Sequence, residues 1–219
     1  MKKIIFIIFI FCFLSSCNER IVQLPETTNK DITEVTDVSP IYMFYDEEKD
    51  SIEFNRRNMI SATNWLVNID KRLTLKQILP HLQYLQEKRQ GDEKHSFHNY
   101  FTCNNTELKN LSFIEFTDVV YYEDYPNKDY EEDKIYIYVH ADGKTSSSND
   151  THNEYESFST YIDLKKEYFK NIPEIETILS LHENLSFQNY IDIKSKLLSV
   201  KSDGLKISNQ EIILINYIY

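Results

Sequence analysis

Glycine is almost missing from this chain: Gly91, Gly143 and Gly204 are the three in 219 residues. Phosphate-cradling loops of the P-loop or dinucleotide type need several glycines close together, so those chemistries are excluded. Positive charge is scarce as well, with 24 Lys and Arg against 35 Asp and Glu and a net charge of −11. Affinity for phosphates comes mainly from clustered Lys and Arg, so nucleic acid and anionic lipid surfaces are poor partners. Cysteine is limited to Cys12, Cys17 and Cys103. The first two fall at the N-terminal apolar stretch, which leaves Cys103 without an internal disulfide partner and reads as a buried, inert thiol. The uncharged run Ile4 to Leu14 falls well short of the roughly 20 residues that cross a bilayer core of about 30 Å.

What is there begins with that run. Met1, Lys2 and Lys3 precede it, so basic and apolar regions follow one another as in a secretion signal. The run ends in Leu14, Ser15, Ser16 and Cys17, which resembles the lipobox of bacterial lipoproteins. The resemblance implies cleavage before Cys17, diacylglycerol and palmitate on that cysteine, and a chain held to the lipid bilayer. Several acyl chains on one residue anchor stably where one binds marginally. Asn18 follows the cysteine, and similarity to the sorting rule of enteric bacteria places the anchor in the outer membrane. Without residues 1–16 the chain keeps 22 basic and 35 acidic residues. Residues 17–40 are polar with scattered apolar positions and read as a flexible tether. The expected single α+β domain is then 41–219.

Ile41 to Tyr45 reads as a short first strand. Met59 to Thr63 and Trp65 to Ile69, parted by Asn64, suggest a tight hairpin or one bent strand. Thr74 and Gln77 form a capping-box pair ahead of Leu75, Ile78, Leu79, Leu82 and Leu85 at helical spacing, with Pro80 inside the helix as a kink. Gly91 to Asn110 reads as loop. Leu111 to Tyr122 and Lys134 to Ala141 read as paired strands joined by the acidic run 123–133. Asp142 to Asn153 reads as a second loop. Tyr155 to Asn171 predicts a helix ending before Pro173, Glu176 to His182 a strand, Phe187 to Val200 a helix stopped by Gly204, and Leu205 to Tyr219 a closing strand.

The order of strands and capped helix at 59–88, then strand, helix and strand at 176–215, resembles the periplasmic domain of the ExbD and TolR biopolymer-transport proteins. Leu73, Thr74 and Leu75 stand at that family's first helix start. Leu179 to His182, the turn Glu183 to Leu185, and Ser186 with Phe187 stand before its second. The resemblance implies a small two-layer sandwich, with a mixed or antiparallel sheet and two main amphipathic helices on one face, carrying an insertion at about 91–173. The run 4–14 has no acid, so the transmembrane aspartate of that family has no counterpart and proton coupling is excluded.

Candidate sites are few. Cys17 is the lipidation site. Tyr136 and Tyr138 alternate with the aliphatic Ile135, Ile137 and Val139, and their face is the expected contact surface. His95 and His98 share an H-x-x-H spacing and His140 stands near Asp142, but zinc needs three or four tetrahedral ligands and no such set is framed; neither metal nor cofactor is expected. The acidic runs at 46–50, 123–133 and 154–156 read as solvated faces. The expected function is a non-enzymatic binding or accessory module of the envelope, with an envelope protein as partner. The alternatives are a periplasmic or surface hydrolase using the acidic loops or the histidines, and a purely structural tether.

Overall fold

A computed structural model describes residues 20–90, 97–124, 133–172, 175–200 and 205–216. The signal, Cys17, Gly91, His95, most of the acidic run 123–133, Pro173 and Gly204 lie outside the described residues. The α+β class holds, with three helices and two sheets among the described residues.

The first sheet takes β1 (Glu26–Thr27), β2 (Val38–Asp46), β3 (Ser51–Asn55), β4 (Asn64–Ile69), β5 (Asn99–Asn105) and β6 (Asn110–Glu115). Its order is β3-β2-β4-β5-β6, with β1 beside the far half of β5; β2, β4, β5 and β1 run parallel and β3 and β6 antiparallel. The second takes β7 (Val120–Glu123), β8 (Ile135–Val139), β9 (Thr145–Ser147), β10 (Asp150–Tyr155), β11 (Glu176–His182) and β12 (Lys206–Leu214), in the order β10-β9-β8-β11-β12-β7. Helices α1 (Leu75–Gln90), α2 (Phe158–Asn171) and α3 (Phe187–Val200) complete the chain.

The expected single sheet with two helices on one face is therefore corrected to two sheets and three helices. The stretch 91–173, expected as an insertion, supplies β5 to β10 and α2. Residues 111–122 do not make one strand. The chain turns between Phe116 and Val119, where the Val119 amide donates to the Phe116 carbonyl (3.1 Å), and passes from one sheet to the other. Its two pieces pair with β5 and β12, not with β8. Met59 to Thr63 is turn; only the second half of that expected hairpin is a strand. The expected tether is docked from residue 23 onward. Lys71 donates its amide to the Gln23 carbonyl (2.8 Å), Asn104 to Pro25 (2.8 Å) and Phe113 to Ile32 (2.9 Å).

Helix α1 starts as its sequence demands. Thr74 receives the Gln77 amide on Oγ1 (3.3 Å), and the Thr74 amide donates to Gln77 Oε1 (2.9 Å), closing the capping box. Pro80 lies inside the helix on its exposed side and has no amide to donate to the carbonyl of Lys76 one turn back. Both α1 and α3 touch both sheets. On α1, Tyr84 meets Phe54 of β3 edge-on while Gln86 Oε1 accepts the Tyr121 amide of β7. On α3, Tyr190 meets Phe101 of β5 and bonds Glu211 of β12. The inner faces of both sheets and the helices share one core, in which Ile135, Ile137 and Val139 point inward as their alternation predicts.

The two halves repeat one device. Asn68 to Leu79 and Ser180 to Ile191 each run from strand through a polar turn to a hydroxyl-capped helix: Leu73, Thr74, Leu75 in one, Leu185, Ser186, Phe187 in the other. These elbows pair reciprocally. Leu75 donates to the Leu185 carbonyl (2.9 Å) and Phe187 to Leu73 (2.7 Å); Lys76 donates to Glu183 (2.8 Å) and Gln188 to Lys71 (3.1 Å). The first amides of a helix have no partner within it, so each helix closes its N-terminus on the carbonyls of the other half. This internal repeat went unread in the sequence because Leu73 and Leu185 alone are identical across the two elbows and the adjoining first helical turn.

Candidate binding groove between the two sheets

A groove of about 900 Å³ lies where β6, the start of β12, the segment around Ile32 and the second half of α3 meet. Ile32, Phe113, Val119, Leu197, Leu198 and Leu205 supply its apolar walls, and Asp31, Glu115 and Asp118 with Lys194 and Lys206 its charges. The walls follow from the elements: Leu197 and Leu198 fall on the part of α3 that passes β6, beyond the turns that bury Tyr190 and Ile191 in the core.

A polar chain leads from the groove into the interior. Lys194 Nζ lies 2.5 Å from Glu211 Oε1, Tyr190 donates its hydroxyl to Glu211 Oε2 (2.7 Å), and the Tyr190 and Tyr121 hydroxyls are 3.0 Å apart. Burial, then the Glu211 charge, pushes both tyrosines well above their ordinary range, so they stay neutral hydrogen-bonding groups. Glu211 is 1% exposed and Lys194 13% by side chain. Such a pair persists because its geometry and the tyrosine satisfy what burial would leave bare.

The sequence candidates are dispersed. Tyr136 is 4% exposed and packs with Ile178, Ile212, Leu214 and the half-buried Tyr138, so the expected exposed aromatic face is corrected to a packed cluster. Parallel pairing on both sides buries β11, which leaves apolar residues on that second face for Tyr136 to cover. His98 stands before β5 with Nδ1 2.6 Å from Glu115, and His140 follows β8 with Nε2 3.1 Å from the Ser146 hydroxyl. The two are thus seated on different sheets. Burial holds His140 below the ordinary imidazole range, against the opposing charges of Glu154 and Asp142. Among the described residues no group of three or more His, Cys, Asp and Glu is placed to hold a metal ion. Asp142, Glu156 and Asp192 line a smaller cavity of about 360 Å³ between the β8–β9 turn and the starts of α2 and α3.

Cys103 sits on the core face of β5, and burial, then Asp192, pushes its thiol up to about 12. At pH 8 the thiol then stays protonated and the reactive thiolate is scarce. A disulfide reagent should therefore leave Cys103 untouched in the folded protein and label it fully in denaturant; rapid labelling of the native chain at pH 8 would contradict its burial.

No protein-family model, curated protein or solved structure matches the chain. The groove was missed in the sequence because its walls come from three distant parts of the chain, around 29–32, 113–119 and 194–209, none carrying a motif. Leu197 and Leu198 fall on the inward side of α3 by their spacing, half-buried against the core, so nothing local marks them as a groove wall.

Proposed function

We propose that this protein is a lipoprotein of a bacterial envelope, held to the outer membrane through acylated Cys17, and that it works as a non-enzymatic binding module. The groove between the sheets carries the binding part of this reading: it is wide, walled by apolar side chains from both halves, and rimmed by charge. The anchoring part rests on Leu14, Ser15, Ser16 and Cys17 directly behind an uncharged run. Radiolabelled palmitate should enter the full chain expressed in a lipoprotein-processing bacterium and should be lost in Cys17→Ala, which should also keep its signal and migrate higher on a gel. Equal labelling of the variant would remove the anchor from this reading.

A second observation favours a likeness to the ExbD and TolR periplasmic domain, drawn from both halves of the chain. The resemblance covers 59–88 and 176–215, and on those residues β4 and α1, then β11, α3 and β12, follow in the order it implies, with β5 to β10 and α2 between them. In this reading the module serves beside an envelope transport complex and takes no part in proton flow, since residues 4–14 hold no acid.

A further inference from the structure

The groove is bounded by two unfinished sheets. On one side runs the outer edge of β6. Its alternate residues Leu111, Phe113 and Glu115 turn their backbone away from β5, as the Phe113 amide shows by donating to Ile32 (2.9 Å). Glu115 lies on the same side, and its amide has no backbone partner among the described residues. The other side is the start of β12. There β7 pairs with Gln210 to Ile213, whereas Lys206 to Asn209 pair, where they pair at all among the described residues, with β11 on the opposite side. Residues 206–209 line the groove, as do Thr117, Asp118 and Val119, which lead into β7.

Unpaired strand edges are templates for another strand. Here two of them face one apolar trench; on the β6 edge Ile32 takes the Phe113 amide and Asn110 Oδ1 the Leu111 amide (2.8 Å), which leaves the Glu115 amide for an added strand. Three carboxylates, Asp31, Glu115 and Asp118, stand at the rim; Glu115 is engaged by His98 at 2.6 Å and Lys194 by Glu211 at 2.5 Å, which leaves Asp31 and Asp118 facing the groove. The fixed charge offered to an occupant is therefore acidic, with Lys206 as its counterweight.

We infer that the groove takes an extended segment of a partner protein, as a strand added to these edges, with apolar side chains turned toward Leu197 and Leu198 and basic ones toward the acidic rim. Backbone bonds supply affinity in this mode and alternate side chains supply selectivity. The inference rests on the groove being the binding site proposed above.

The test is hydrogen exchange on the full chain in lipid nanodiscs, with a ten-residue peptide alternating lysine and valine as probe. At about ten times its Kd, exchange at residues 113–119 and 206–209 should slow about tenfold and stay unchanged elsewhere. Leu198→Ala, at a half-buried position of the groove wall, should weaken that protection while the unbound exchange pattern stays intact. A glutamate–valine peptide should protect neither segment. Absent protection with the lysine probe, or equal protection by the glutamate one, overturns the inference. Oleate protecting the walls in place of the peptide would assign the trench to an acyl chain, sinking the strand while keeping a binding module. If neither probe nor oleate protects the groove, both readings fall.

Discussion

Glu211→Ala is expected to lose about 3–5 kcal/mol of folding stability, the range for breaking a buried ion pair from one side. The carboxylate accepts from Tyr190 at 2.7 Å and lies 2.5 Å from the Lys194 ammonium, and both members of the ion pair are largely out of water. Removing it leaves a largely buried cation unpaired and Tyr190 with Tyr121 alone as partner, and an unpaired charge costs far more than an intact pair contributes. The double substitution Lys194→Met with Glu211→Leu should recover most of the loss, because apolar groups of similar volume avoid the desolvation altogether. Urea unfolding of the two variants measures this. A loss below about 1 kcal/mol for the single change would mean that water reaches the pair.

Phe101→Ala should cost a similar amount, about 3–5 kcal/mol, for a different reason. The ring is fully buried on β5, stacked on Phe116 at 3.8 Å between centroids and edge-on to Phe187 and Tyr190 at 5.3 and 5.9 Å. It is thus the place where the first sheet grips the helix of the second half, and its removal opens a cavity between halves. Phe101→Leu keeps most of the volume and should cost less than half as much. Thermal unfolding should stay a single transition in Phe101→Leu. A smaller loss for alanine than for leucine would contradict a tightly packed site.

Much of this fold was legible where a period and a boundary coincide. Thr74 with Gln77 marked the start of α1, and the strand 176–182 and helix 187–200 fall at the expected residues. What failed to read was β5. Its sequence Asn-Tyr-Phe-Thr-Cys-Asn-Asn looks like loop, yet it lies centrally in the first sheet. Asn99 and Asn105 are tolerated there because Arg89 donates to one (3.0 Å) and the other donates to the Asn29 carbonyl (2.7 Å). Partners so distant leave no trace in a local pattern. Strand β10 escaped for the opposite reason, since its side chains are mostly exposed and show no alternation. Of the candidate sites, the alternation at 135–139 gave the correct inward face but could not reveal that Tyr136 is covered on the other.

The reciprocal elbows bear on how the molecule responds to dilution. Each helix start needs carbonyls that the other elbow holds, and both ride on one polypeptide. Linkage of this kind sets an effective concentration on the order of millimolar, whatever the amount of protein in the cell. The mutual closure of α1 and α3 is thereby a first-order event, and a chain present in a few copies per envelope completes it as readily as one present in thousands.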